Sequence, residues 1–158
     1  MTGVSISDKS IQEPINKEGH GIKIYKIGSM YEGQFKSNKM HGKGRIIYDQ
    51  GGVYEGFFSN DKFHGYGVQI LSTGHRYEGQ WKNGKRHGKG LQIMPNGNRI
   101  QGDFKYDRSH GKGIQTLSNG TRFAGDLKNG KLDGVAIAVY PNGKVLAGKW
   151  LKGRYKGA

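Results

Sequence analysis

The sequence predicts an all-β protein, an elongated single-sheet solenoid of tandem antiparallel β-hairpins. Three observations point there. A 23-residue register runs along the chain without an insertion. The 158 residues include 29 glycines, and Asn-Gly pairs separate short apolar runs, a strong short-range hairpin signal. No apolar pattern follows the helical period, and the spacing between turns leaves no room for a helix of useful length.

The register is carried by several columns. Gly28, Gly51, Gly74, Gly97, Gly120 and Gly143 form one; Gly33, Gly56, Gly79, Gly102, Gly125 and Gly148 form another. The position two before the second column holds Tyr31, Tyr54, Tyr77, Ile100, Phe123 and Leu146, and four residues later come Phe35, Phe58, Trp81, Phe104, Leu127 and Trp150. An HGKG or HGYG segment starts at His41, His64, His87 and His110, becomes DGVA at Asp133, and is preceded by Glu18-Gly19-His20-Gly21 in the same slot. Residues 1–16 are polar and non-repetitive and read as a tail. Residues 17–158 read as an array of about six units with partial ends.

Each unit holds two strands and two turns in a fixed order. A YEGQF-like run, residues 31–36 in the first clear copy, is the first strand. A turn such as KNGK at 82–85 follows. After the HGKG glycines comes the second run, as in LQIM at 91–94, closed by a turn such as PNGN at 95–98 or SNGT at 118–121. Two strands per unit, about 4.8 Å apart, advance roughly 10 Å, so six units make a ribbon on the order of 60 Å long. A lone hairpin is marginal in water, so neighbours must supply the stability. Alternation puts Tyr31, Gly33 and Phe35 on one face and Glu32, Gln34 and Lys36 on the other. Glycine leaves space beside each ring, which explains the glycine content without a ligand.

Composition narrows the function classes. The aromatic content of 11% argues against disorder. The absence of cysteine excludes a disulfide framework and a thiolate metal site. Residues 1–20 hold no signal-type apolar run, no stretch approaches the roughly 20 apolar residues of a membrane span, and Thr2 departs from the N-myristoylation pattern. A soluble, cytoplasmic protein is expected. The formal charge of +14 favours anionic partners.

The stretch YEGQWKNGKRHGKG at 77–90, followed by MPNGNR, resembles the MORN repeat, whose pattern is close to YEGxWxxGxxHGxG plus a YxxG turn. The resemblance covers roughly residues 18–158 and weakens toward the C-terminus: the Glu of YEG stands at Glu32, Glu55 and Glu78, then gives way to Gln101, Ala124 and Ala147. It implies a curved single-sheet solenoid with an aromatic-lined groove. The family occurs in junctophilins, ciliary radial-spoke subunits, parasite cytoskeletal scaffolds, plant phosphoinositide kinases and a lysine methyltransferase. In its enzymes the chemistry lies in a separate domain, for which this chain has no room.

The sharper chemistries fare poorly. Gly88-Lys89-Gly90 is no phosphate loop, because neither GxxxxGK[ST] nor a helix-opening GxGxxG occurs. His41, His64, His87 and His110 look like ligands, but equivalent positions lie roughly 10 Å apart, while zinc needs its nitrogens at about 2 Å. A turn-stabilising role for each imidazole is expected instead, with no metal and no cofactor. Every candidate acid, base and nucleophile belongs to a repeated column or a variable loop, whereas active sites are singular, so no catalytic residue and no enzyme are expected.

Two columns remain. Lys39, Lys62, Lys85, Arg108, Lys131 and Arg154 recur in the turn between the strands of each hairpin, with Lys43, Lys89 and Lys112 on the second strand. They read as a solvated turn, or as a cationic ridge for acidic membrane surfaces, worth about 1 kcal/mol per basic residue near the headgroups. Tyr31, Phe35, Tyr54, Phe58, Tyr77, Trp81, Phe104 and Phe123 form an aromatic ladder. Much of it packs internally, yet one sheet layer cannot cover both faces, and an open stripe of that length calls for a cover. The leading expectation is a non-enzymatic scaffold that binds an apolar, helical segment of a partner protein along this groove, in a cytoskeletal, ciliary or membrane-associated assembly. The alternative is an anionic-lipid (phosphoinositide) adaptor working through the basic column. Self-assembly into a homo-oligomer is a third possibility. Nucleic acid ranks below these, because no recognition helix or single-strand-binding fold is evident.

Overall fold

The computed structural model describes residues 18–158, so the tail expected over 1–16 lies outside the described residues. Among the described residues there are thirteen strands and no helix. The chain falls into two compact units, one ending at Lys85 and the other starting at Arg86. The first holds β1 (Gly19–Ile24), β2 (Met30–Lys36), β3 (Lys39–Ile47), β4 (Gly52–Ser59), β5 (Lys62–Leu71) and β6 (Arg76–Lys82). The second holds β7 (Lys85–Ile93) apart from its first residue, β8 (Arg99–Lys105), β9 (Arg108–Thr116), β10 (Arg122–Lys128), β11 (Lys131–Val139), β12 (Val145–Leu151) and β13 (Arg154–Gly157). Within each unit the strands follow chain order, each antiparallel to the next. The all-β hairpin array predicted by the 23-residue register is what the chain builds.

The two Asn-Gly sites of a repeat make different turns. Asn83-Gly84 and its equivalents Ser37-Asn38, Asn60-Asp61, Tyr106-Asp107, Asn129-Gly130 and Lys152-Gly153 are two-residue turns with both φ angles positive, as at Asn83 (+49°) and Gly84 (+83°). That geometry matches the right-handed twist of the flanking strands. Asn96-Gly97 instead lies in a three-residue loop: Met94 N donates to Asn98 O, and Gly97 N donates to Met94 O. There the asparagine side chain acts, Asn96 Oδ1 accepting from Asn98 N at 2.9 Å, with Asn119 and Asn142 doing the same for Thr121 N and Lys144 N.

One boundary differs from the sequence reading. The second strand was expected after the HGKG glycines, as at 91–94, but β7 starts at Lys85 and runs through them. The cause is a bulge. Register passes from Gly33↔Gly44 to Phe35↔Met40, so three residues, His41-Gly42-Lys43, stand opposite Gln34 alone. Gly42 has φ +76°, which accommodates the extra residues without breaking the strand. The same jump recurs at Gly56/Phe58, Gly102/Phe104 and Gly125/Leu127.

Alternation then buries one face of each unit. In the first unit the buried set includes Tyr25, Tyr31, Phe35, Met40, Ile46, Tyr54, Phe58, Phe63, Tyr77 and Trp81; in the second, Ile100, Phe104, Leu127, Leu132, Ala136, Ala138 and Trp150. Tyr54 lies flat on Phe63, ring centroids 3.6 Å apart, and meets Phe58 and Trp81 edge to face at 5.0 and 5.7 Å. The glycine column makes this possible. A Cβ built on Gly67 would sit 2.1 Å from the Tyr54 hydroxyl oxygen and 2.4 Å from Cζ.

Candidate binding surfaces

Three surfaces can be built from the residues upward. The inward one is the ring ladder. Tyr31, Phe35, Tyr54, Phe58, Tyr77, Trp81 and Phe104 are all at most 4% exposed, and Phe123 is half-buried against Trp150, at 5.7 Å. The expected open stripe is therefore corrected: the rings cover one another. Their polar ends are also engaged. Tyr31, Tyr54 and Tyr77 hydroxyls donate to the carbonyls of Gln34, Phe57 and Gln80 at 2.7–2.9 Å, and Trp81 Nε1 donates to Gly67 O at 3.2 Å. Sequence reasoning underestimated this closure because it left out Tyr25, Met40, Ile46 and Phe63, which come from the other strand and the loops and fill the gaps between rings. Burial pushes the Tyr25 phenol up to about 12 and raises Tyr31, Tyr48 and Tyr54 further, because phenolate is poorly solvated there.

The second surface is basic. Lys39, Lys62, Lys85, Arg108, Lys131 and Arg154 are each the first residue of a strand just after a two-residue turn, and all are exposed. The pairing register adds a basic partner at several of these positions, while Lys62 faces Ser59 and Arg154 faces Leu151. Lys36 faces Lys39, Lys105 faces Arg108, and Lys128 faces Lys131. In the second unit Lys105, Arg108 and His110 line one shallow depression with Tyr106 and Asn129.

The histidine slot serves the turns. His64 Nδ1 accepts from Asn83 N at 3.3 Å. Glu18 and Asp133, in the same slot, accept from Ser37 N and Lys152 N at 2.7 and 3.3 Å. At these three positions the slot presents an acceptor to the next turn, which is compatible with a carboxylate at either end; His41 Nδ1, in the same slot, is buried without such a bond. Among the described residues no three His, Asp or Glu side chains gather where an ion could be held.

The third surface faces outward, and sequence reasoning missed it. In the first unit the cross-strand row reads Ile22, Glu32, Arg45, Glu55, Val68, Glu78. The equivalent row of the second unit reads Leu91, Gln101, Ile114, Ala124, Ile137, Ala147. Val135, Ile137, Val139 and Val145 are 42–60% exposed on that side. The signal was present in the loss of Glu from YEG at Gln101, Ala124 and Ala147. Its meaning required the register, which sets Ala124 and Ala147 on either side of Ile137 on β11 and Gln101 beside Ile114 on β9. Nearby, Lys112 Nζ lies 2.6 Å from Asp126 Oδ1 and holds that carboxyl below the usual range.

A family model for the MORN repeat matches five tandem segments of the chain, residues 31–53, 54–76, 77–99, 101–122 and 123–145. No curated protein sequence matches the chain. Among solved structures it is similar to the SAS-4 (dCPAP) TCP domain in complex with a Proline Rich Motif of Ana2 (dSTIL) of Drosophila melanogaster, at 14% identity and a TM-score of 0.48, over 93% of this chain and 94% of that one. It is more distantly similar to virginiamycin B lyase from Staphylococcus aureus, at 11% identity and TM-score 0.22, over 86% of this chain and 57% of that one. A streptogramin B lyase aligns at 16% identity and TM-score 0.20, over 90% and 44%. With five matched repeats in unbroken register, the chain belongs to the MORN-repeat family.

Proposed function

We propose that this chain is a non-enzymatic scaffold that binds an apolar segment of a partner protein. The observation that carries the proposal is the outward side of each unit, where large apolar side chains stand in water. Phe57 and Tyr66 are 46% and 50% exposed in the first unit, and β11 presents Val135, Ile137 and Val139 in the second. Apolar groups held exposed on a rigid sheet are an interaction surface by default. The ring ladder at Tyr31, Phe35, Tyr54, Phe58, Tyr77, Trp81 and Phe104 enters as the packing that keeps each sheet rigid, with half-buried Phe123 open to direct contact. A partner segment in helical form suits such a surface, because its apolar face can lie across several strands. A cytoplasmic setting in a cytoskeletal, ciliary or membrane-associated assembly is part of this proposal and rests on where the family occurs. The test is reconstitution of a binary complex from purified chain and a purified partner first captured from extract. A dissociation constant below about 10 µM supports the reading. Capture of nothing but lipid, or of further copies of the chain, overturns it.

A second reading, an anionic-lipid adaptor, is favoured by the basic column, with a second lysine opposite Lys39, Arg108 and Lys131, and by the Lys105–Arg108–His110 depression. Co-sedimentation with phosphatidylcholine vesicles, with and without phosphatidylserine or phosphoinositide, tests it. Charge reversal at Lys62, Lys85 and Arg108 abolishes pelleting if the column holds the headgroups. Unchanged pelleting removes this reading.

A further inference from the structure

Resting on the scaffold reading, we propose that the outward face of β10–β12 is a docking surface for an amphipathic helix whose apolar stripe is bordered by acidic residues. On β11 the outward positions are Val135, Ile137 and Val139, all exposed, while the inward Ala136 and Ala138 are buried. The three β-branched side chains make a ridge along the strand. Ile137 is flanked in register by Ala124 on β10 and Ala147 on β12, both exposed. These small side chains leave a trough on each side of the ridge, and Val145 beside Val139 extends the patch onto β12. A helix packs by laying a ridge of its own side chains into such a trough.

The patch's electrostatics select the occupant. Its rim is net cationic: Arg122 lies in register with Val139 and Lys149 with Val135, while Asp126, which accepts from Val135 N, is paired with Lys112. Every side-chain carboxylate of this unit is already engaged. Asp103 pairs with Lys89 and Asp126 with Lys112; Asp107 accepts from Arg86 N, and Asp133 from Lys152 N. A second copy of the same surface would bring Arg122 and Lys149 toward their own kind with no unpaired acid to answer them, and like charges meeting across an interface repel. An anionic membrane would also meet the charge requirement. The patch, however, carries no Trp or Tyr of the kind enriched at membrane interfaces, and its apolar atoms lie in a sheet face rather than on a protruding loop. A helix with Leu or Ile along one stripe and Asp or Glu beside it satisfies both the troughs and the rim.

The experiment uses the full chain and three designed helical peptides of about five turns each. One has a leucine stripe bordered by Glu, one the same stripe bordered by Lys, and one a scrambled sequence; binding is read by fluorescence anisotropy. The Glu-bordered peptide is expected to bind at least about tenfold more tightly than the other two. Val135→Thr/Ile137→Thr/Val145→Thr keeps β propensity and is expected to weaken it by about tenfold or more. Should that variant lose its strand signal by circular dichroism, Ala124→Gln, which fills one trough without adding charge, gives the same reading. Arg122→Glu/Lys149→Glu is expected to reverse the preference in favour of the Lys-bordered peptide. Equal binding of the charged peptides, or affinity unchanged in a folded Thr variant, overturns the assignment. If a reconstituted partner still binds that Thr variant, the scaffold reading survives and only this surface falls. A dimer in sedimentation that Ile137→Thr dissociates overturns it in favour of a second copy, and vesicle pelleting lost in the Thr variant overturns it in favour of a membrane.

Discussion

At the scale of single residues, the fold depends on what is missing from the glycine column. The Tyr54 ring occupies the space that a side chain at Gly67 would need, so Gly67→Ala must displace either the ring or the strand. It is expected to cost about 2 kcal/mol or more, read as a shift in the denaturant midpoint. Gly84 meets nothing within 4 Å and has a left-handed φ that asparagine tolerates, so Gly84→Asn is expected to cost less than about 1 kcal/mol. Equal losses would show that the rings do not set the requirement. The tyrosines add a pH dependence. Their folded pKa values are raised, so the native state holds phenolic protons that the unfolded chain, with pKa about 10, releases. That contribution is complete below pH about 10 and is lost as pH climbs through 12. Tyr54→Phe is expected to flatten the alkaline fall. It also removes the 2.8 Å bond to Phe57 O, at about 1 kcal/mol near neutrality. An alkaline unfolding curve unchanged by Tyr54→Phe would mean that other groups govern it.

At the scale of the hairpin, the same dipeptide does two jobs, and neighbouring repeats are joined through their turns. His64 supplies an acceptor to the Asn83 amide, as Glu18 and Asp133 do for Ser37 and Lys152. Since a carboxylate already fills the slot twice, His64→Asp is expected to preserve thermal stability. His64→Ala, which leaves the Asn83 amide to water, is expected to cost about 0.5–1 kcal/mol. If both variants lose the same amount, the slot is steric rather than hydrogen-bonding. The HGKG bulge follows similar logic: three residues opposite one require Gly42 and its equivalents to take a left-handed conformation. Replacing Gly88 (φ +79°) by Val is expected to destabilise by more than about 1 kcal/mol, because a β-branched side chain resists positive φ.

At the scale of the whole chain, repetition makes length negotiable in whole units only. Deleting residues 54–76, one matched repeat, sets Tyr77 where Tyr54 stood and keeps every inward position inward. Such a chain is expected to fold with a strand spectrum like the parent's and a smaller unfolding enthalpy. Deleting 54–64 removes only part of a repeat, so one hairpin loses its first strand and the residues that follow fall out of step with their partners; it is expected to abolish cooperative folding. Equivalent behaviour of the two deletions would contradict register as the organising constraint. The formal charge of +14 acts at this scale too, favouring anionic partners and weakening with salt.

The period, the hairpin, the alternation of faces and the family are legible in the residues alone, because each depends on local backbone preference and on spacing repeated many times. Tyr31, Gly33 and Phe35 are enough to assign an inward side. Tertiary structure alone decided how completely that side closes and what the other side offers. Tyr54 is sealed by Phe63 and Trp81 from neighbouring strands, and Ile137 gains its troughs from Ala124 and Ala147. Residues far apart in sequence become neighbours only through cross-strand register, so exposure, the property that separates a core from a docking surface, is not written at any single position.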